Sequence, residues 1–315
     1  MMRPWEQHSN VIIIPRFDYN APSSLLRHSH TGFLITCPIK REKSATKEAM
    51  SILEKFFGSL NTTNAAGSLD VCFRTQEMVG EYTTTEMSSI NSEDAADELL
   101  KSYPSNQKVS QENGNTVRLS LVKLTRSGLL LFIFPSDISM DTTDIVSNIM
   151  ESLGNGSLKT PRWCHRIFPI QATCNLNEKE LRAVVLKLVH EFVKDEKQKL
   201  VRPIKYAVGF NRRGVGEKEL KASKHSNDSS IGALLDRNKC FEIAGSAVKD
   251  VIPDSVVDLN NPELSIIVEL LPLSGVTNGS PVVAVSVLPS IFVVTKPKLC
   301  IKALLSASKM TDTAL

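Results

Sequence analysis

The sequence predicts a two-part fold of the α+β / α/β class, each part a sheet with helices packed on it. Three observations predict it. Short apolar runs alternate with segments whose apolar residues recur at helical spacing. Hydrophobic residues fill 42% and charged residues 23% of 315 positions, enough to bury one large or two ordinary cores. The turn-forming stretch Gly154-Asn155-Gly156-Ser157 divides the pattern near mid-chain, so a boundary is expected over 154–161.

The first part reads as follows. Residues 1–27 are mixed in character and expected to be mostly flexible. Gly32–Cys37 is a short buried strand, stopped by Pro38. Ser44 is placed to cap a helix over 44–57, with Ala45, Ala49, Ile52, Leu53 and Phe56 as its buried stripe. Residues 75–115 are rich in Ser, Thr, Asn, Gln and Glu and poor in large apolar side chains. Such a stretch cannot bury enough surface to offset its ordering entropy, so a mobile insertion is expected. Residues 117–134 form a β-hairpin turning at Ser127-Gly128. Asp141 caps a helix carrying Ile145, Ile149 and Leu153. Strand, helix, strand, strand, helix over 28–155 is the order of a ferredoxin-like α+β sandwich.

The second part is expected over 160–305, with 306–315 a flexible tail. Arg166–Ile170 opens it as a strand. Asn175 and Glu178 are placed like a capping box, and Leu181, Val184, Val185, Leu188 and Phe192 mark the helix that follows. Ile204, Tyr206, Val208 and Phe210 alternate with Lys205, Ala207, Gly209 and Asn211, a strand with one apolar face. Residues 214–238 are a polar, basic loop. Phe241, Ala244, Val248 and Val251 give a second helix. Leu264–Leu271 is apolar on both faces and reads as a central strand. Val282–Val287 and Ile291–Val294 complete the apolar runs.

Several kinds of chemistry find no support. There is no phosphate-binding G-x-x-x-x-G-K-S/T loop, no strand-linked G-x-G-x-x-G, no G-x-S-x-G elbow and no H-E-x-x-H, so no cofactor and no metal are expected. Asn155-Gly156-Ser157 and Asn278-Gly279-Ser280 are turns. The six cysteines contain no C-x-x-C pair. Cys164 and His165 are strand neighbours pointing to opposite faces, so they do not form a nucleophile–base pair. His28 and His30 lack a third ligand in view. Glu269, inside an apolar strand, calls for a salt bridge or an edge position rather than an acid–base role. No signal peptide is recognised, and no apolar run approaches the ~20 residues of a membrane span. A soluble intracellular protein of the nucleus, nucleolus or cytoplasm is expected, with reduced thiols.

Charge carries positive content. Residues 1–159 hold 15 Lys/Arg against 18 Asp/Glu, whereas 160–305 hold 21 against 15. A local positive excess favours a polyanion, because each neutralised phosphate releases condensed counterions. Arg162 and Arg166 flank the Arg166–Ile170 strand. Lys205, Arg212 and Arg213 lie on or just after another. Lys296, Lys298 and Lys302 follow the last. If these strand ends meet, they form a cationic surface beside Gly209 and Gly214, where phosphates can approach the backbone.

The segment His165-Arg166-Ile167-Phe168-Pro169-Ile170-Gln171-Ala172-Thr173, the helix after it, the Lys205–Phe210 strand, and Val257-Asp258-Leu259-Asn260-Asn261-Pro262 leading into Val268-Glu269 together resemble a THUMP domain. Gly32–Cys37 and Leu129–Leu153 resemble the ferredoxin-like domain that precedes THUMP in adaptor members of that family. The resemblance covers about 28–58 and 116–302. It implies an N-terminal ferredoxin-like domain followed by a THUMP domain of mixed sheet and packed helices. It also implies a non-enzymatic adaptor that binds serine and leucine tRNAs for a separate tRNA cytidine acetyltransferase, which forms N4-acetylcytidine in the D-arm. Arg212 and Arg213 match the family's basic run, and Arg166 a basic residue before its Pro. The RNA-binding set expected is thus Arg162, Arg166, Lys205, Arg212, Arg213, Lys296 and Lys298. Two alternatives stand beside it: a protein-interaction scaffold, and a THUMP-type tRNA-modifying enzyme. The latter would need a catalytic domain for which the sequence leaves no room.

Overall fold

The structure is a computed structural model, and it describes residues 17–60, 71–73, 117–138, 140–195, 200–214, 236–276 and 281–304. The elements in chain order are α1 (Ala21–Leu25), β1 (Gly32–Thr36), α2 (Glu42–Leu60), β2 (Val71–Phe73), β3 (Val117–Val122), β4 (Leu129–Ile133), α3 (Thr142–Gly154), β5 (Arg166–Ile170) and β6 (Ala172–Asn175). There follow α4 (Glu178–Lys194), β7 (Lys205–Asn211), α5 (Arg237–Val251), β8 (Val256–Val257), β9 (Leu264–Leu271) and β10 (Val282–Pro289). A 3₁₀ turn (Ser290–Phe292) and a small hairpin, β11 (Val293–Val294) with β12 (Cys300–Ile301), complete it.

The first sheet runs β2-β3-β4-β1-β5. β1 pairs antiparallel with β4 and β5, β3 pairs antiparallel with β4, and β2 joins the edge in parallel. The succession β1-α2-β3-β4-α3-β5 is the split β-α-β-β-α-β arrangement. β1 is an interior strand, and Phe33, Leu34 and Ile35 on it are all fully buried. Gly32 opens it, and no side chain fits there: an added Cβ would lie 2.1 Å from the Phe132 carbonyl oxygen. Phe33, Phe57 and Phe134 meet edge-to-face or tilted beneath this sheet.

The second sheet runs β6-β10-β9-β7-β8. It is mixed: β6, β10 and β9 are antiparallel neighbours, whereas β7 is parallel to both β9 and β8. Residues alternate faces along a strand, and the cores divide accordingly. Ile266, Val268 and Leu270, with Val283, Val285 and Val287, pack under α4 and α5. Ile267 and Leu271, with Val282, Ala284 and Leu288, turn the other way into the core of the first sheet. The second sheet is therefore covered on both sides. The doubly apolar reading of Leu264–Leu271 has this cause.

The two sheets are joined by polar contacts as well as by side-chain packing. The Gln171 side chain accepts from the Val287 amide at 2.6 Å. The Ser286 hydroxyl donates to the Pro169 carbonyl. Leu124 bridges Leu273, and the Thr125 amide donates to the Pro272 carbonyl at 2.9 Å.

Four expectations change. Arg166–Ile170 does not open the second sheet. It is the edge strand of the first, in register with β1 from Gly32↔Ile170 to Thr36↔Arg166. Pro169 suits an edge because it has no amide to give. The second sheet begins only at β6, two residues on. Within 1–27, residues 17–27 are anchored at a few points: Phe17 bridges Leu121, and Ala21 and Leu25 of α1 are buried. The cap of α4 is Asn177, whose side chain accepts from Lys179 N at 2.8 Å. Asn175 ends β6, and its amide donates to Glu180. Helix α2 starts at Glu42 rather than at Ser44. The cap expected at Asp141 is present, accepting from Thr143 N and Asp144 N. The stretches 75–115 and 306–315, and 215–235 of the basic loop, lie outside the described residues.

Candidate nucleic-acid interface

The C-terminal end of β7 delivers three consecutive residues to one place. Asn211 is its last residue and pairs in register with Glu269 of β9. Glu269 lies on the face turned toward the first sheet and is only 2% exposed. A buried carboxylate must find donors, and here it has three. Arg213 donates to it through Nε at 2.6 Å and through Nη2 at 2.9 Å, and Asn211 Nδ2 donates at 2.9 Å. Burial pushes the Glu269 carboxyl upward, and Arg213, Asn211 and Lys298 pull it back toward ionisation. The backbone bends to make this possible: Arg213 has φ 44° and Gly214 φ 85°, both left-handed. The guanidinium of Arg213 also lies 4.7 Å from the centroid of the Phe168 ring, on β5 of the other sheet. Glu269 thus meets the salt-bridge expectation, but in a central strand and not at an edge.

Around this buried knot, cations from four segments come together. Lys298 Nζ donates to the Asn211 side-chain carbonyl at 3.0 Å. Arg166 Nε donates to the Ile301 carbonyl at 3.1 Å, and the Leu304 amide donates to the His165 carbonyl. These contacts lay the 296–304 segment along the start of β5. Lys296 and Lys302 are exposed on it. Arg126, from the β3–β4 turn, donates to the Gly214 carbonyl at 2.9 and 2.6 Å. Arg212 is half-buried beside Arg213 and makes no hydrogen bond or ion pair among the described residues.

A further strip continues the seam. Glu48 of α2 accepts from three successive backbone amides, those of Arg162, Trp163 and Cys164, at 2.6 to 2.7 Å. This fixes the approach to β5 as an anion-holding nest occupied from within. Arg162 and Arg41 both lie over the Trp163 ring, at 4.8 and 5.1 Å from its centroid. The acids bordering the seam are each occupied: Glu48 on these amides, Glu269 on Arg213, and Glu42 on the Gly128 amide at 2.8 Å.

Six of the seven expected residues therefore join one seam: Arg162, Arg166, Arg212, Arg213, Lys296 and Lys298. The seventh does not. Lys205 begins β7, about 20 Å of strand away from Asn211 at the usual rise. It pairs with Asp258 at 3.5 Å. Arg213 is in the seam, but its charge is committed to Glu269. Sequence reading missed Arg126, Arg41 and Trp163. Arg41 lay inside Lys40-Arg41-Glu42-Lys43, which has the look of an ordinary helix surface. Only the adjacency of Arg162 and Trp163 gave a signal.

Four cysteines and one histidine are built into the core. Cys164 is fully buried, its Sγ against the Ala45 carbonyl, and burial raises its thiol far above the ordinary range. Burial also pushes Cys174 and Cys240 up to about 12 and Cys37 to about 11. None is a ready thiolate. His30 is buried between the Ser24 hydroxyl, the Phe134 carbonyl and Thr173. Among the described residues no group of three His, Cys, Asp or Glu could hold a metal ion, and no helix is long and apolar enough to cross a membrane.

A family model described as the THUMP domain matches residues 175–272, from the end of β6 through β9. Lys205, Arg212, Arg213 and Glu269 fall inside that span, and the other seam residues fall outside it. Among solved structures, the chain is similar to one described as a crystal structure of a 4-thiouridine synthetase–RNA complex with bound ATP. The identity is 8% and the TM-score 0.36; the match covers 82% of this chain and 42% of that one, so this chain spans less than half its length. No curated protein matches.

Proposed function

We propose, starting from a chain that carries a THUMP domain over residues 175–272, that the protein is an RNA-binding adaptor. On this reading it holds tRNA on the cationic seam and contributes no reacting group, and a separate enzyme performs the chemistry. The observation that carries the reading is the seam itself. Cations from the β3–β4 turn, the start of β5, the end of β7 and the 296–302 segment converge while the bordering carboxylates are already occupied. A surface of that kind has a standing need for anions, and a phosphate backbone supplies them in series. The family resemblance supports the finer assignment: serine and leucine tRNAs as ligands, a tRNA cytidine acetyltransferase as partner, and N4-acetylcytidine in the D-arm as product.

Two measurements test this. Purified protein should shift labelled tRNA at low salt and lose it as salt rises. Bulk tRNA from cells lacking the gene should lose N4-acetylcytidine by nucleoside mass spectrometry. Absence of binding at low salt contradicts the RNA reading. Binding with undiminished N4-acetylcytidine contradicts the acetyltransferase assignment alone.

A further inference from the structure

We propose that Trp163, flanked by Arg41 and Arg162, is a stacking platform for an unpaired base of the bound RNA. The inference rests on the RNA-binding reading above and adds to it a site for a specific chemical class, a single-stranded nucleobase.

Trp163 is one of two tryptophans in the chain, and it is half-buried. Its backbone is immobilised: both Glu48 oxygens hold the amides of residues 162–164, and Cys164 beside it is fully buried. The ring is therefore presented from a rigid base, which lowers the ordering cost of a ligand that lands on it. Trp163 packs in part against the core of the first sheet, which anchors the ring without burying it fully.

Electrostatics supplies the second half of the argument. Arg41 and Arg162 are both exposed, both lie over the same indole, and neither makes an ion pair among the described residues. Two like charges are thus held within about one screening length of each other, roughly 10 Å at 0.1 M salt. A single surface cation–π contact is a modest gain, and a second cation on the same ring adds repulsion. Glu48 stands beside them, but its oxygens are turned to the backbone. Among the described residues the two guanidiniums have no ion-pair partner, and the half-buried indole is the π surface they share. A nucleotide suits both: a phosphate for the guanidiniums and a base to stack on the indole or on a guanidinium plane. A base inside a duplex has no free face, so the ligand is single-stranded.

The test uses the full chain carrying Trp5→Phe, so that Trp163 is the sole indole. Its emission is titrated with a short single-stranded oligoadenylate and with a blunt duplex RNA, while binding of each labelled RNA is followed independently by anisotropy. The oligoadenylate should quench Trp163 and the duplex should not. Trp163→Ala should weaken oligoadenylate binding about tenfold, the usual size of one base–aromatic stack. Trp163→Phe, which keeps a ring and the packing beneath it, should retain most of the affinity. Oligoadenylate that binds with unchanged Trp163 emission, or equal affinity for Trp163→Ala and its parent, overturns the platform and leaves the cationic seam standing. Failure of both RNAs to bind at low salt overturns the RNA-binding reading itself.

Discussion

The two ends of strand β7 carry the same kinds of residues and arrange them differently. At the Lys205 end, charges are matched in the open. Lys205 faces Asp258, Arg202 faces Asp254 at 2.8 Å, and Glu263 accepts from the amides of Val201 and Lys205. Glu263 also lines a cleft of about 880 Å³ together with Asp141, Asp144, Glu191 and Asp195, so the field there leans acidic. At the Asn211 end, one carboxylate is buried and ligated, and Arg212, Lys296 and Lys302 make no ion pair among the described residues. A count of basic residues does not separate these ends. What separates them is whether the nearby acids are available to neutralise the cations.

The contrast can be broken most forcefully at Glu269. Glu269→Ala would leave the half-buried Arg213 without its partner and should cost about 3 kcal/mol of stability in urea unfolding. Asp258→Ala, at the exposed end, should cost far less. Equal losses would erase the distinction between buried and open pairs. Arg213→Lys is a milder probe. It keeps the charge but gives up the two-pronged contact with Glu269 and the stack on Phe168, so a loss of about 1–2 kcal/mol is expected, near the worth of a charged hydrogen bond. No loss would mean that the planar fork is incidental.

The smallest effect is a pH dependence. Backbone hydrogen bonds from Asn261 and Asn260 hold the Asp258 carboxyl below its ordinary value of 3.8. A carboxyl lowered by folding contributes stability that is complete above its unfolded pKa and disappears as pH falls through the lower folded one. Asp258→Asn should therefore make the acid limb of a stability–pH curve shallower below about pH 4. An identical limb would show that the Asp258 turn forms without help from its charge.

Much of this was legible from the residues. Helix α3 follows from spacing and capping, and helix α4, the 117–134 hairpin and the central strand β9 follow from spacing, because each hides a continuous apolar face. The placement of β5 was not legible. Its apolar residues fit either sheet, and only register with β1 decides between them. The seam was legible in part. Arg166, Arg212 and Lys298 sit at strand ends, which sequence can locate, but which end of β7 they share depends on the parallel pairing of β7 with β9. Lys205 was misplaced for that reason. Arg41 and Arg126 come from the other sheet and had no local signal. The commitment of Arg213 to Glu269 depends on a left-handed turn that the Arg212-Arg213-Gly214 sequence permits without dictating.

The central claim is that the Asn211 end of β7, and not the Lys205 end, receives RNA. Titration of labelled tRNA across a salt series decides it, with the parent compared against an Arg212→Glu, Lys296→Glu double variant and against Lys205→Glu. The account predicts at least a tenfold loss for the double variant, a salt dependence shallower by about two phosphate contacts, and near-parental behaviour for Lys205→Glu. Parental affinity in the double variant, or an equal loss on reversing Lys205, would contradict it.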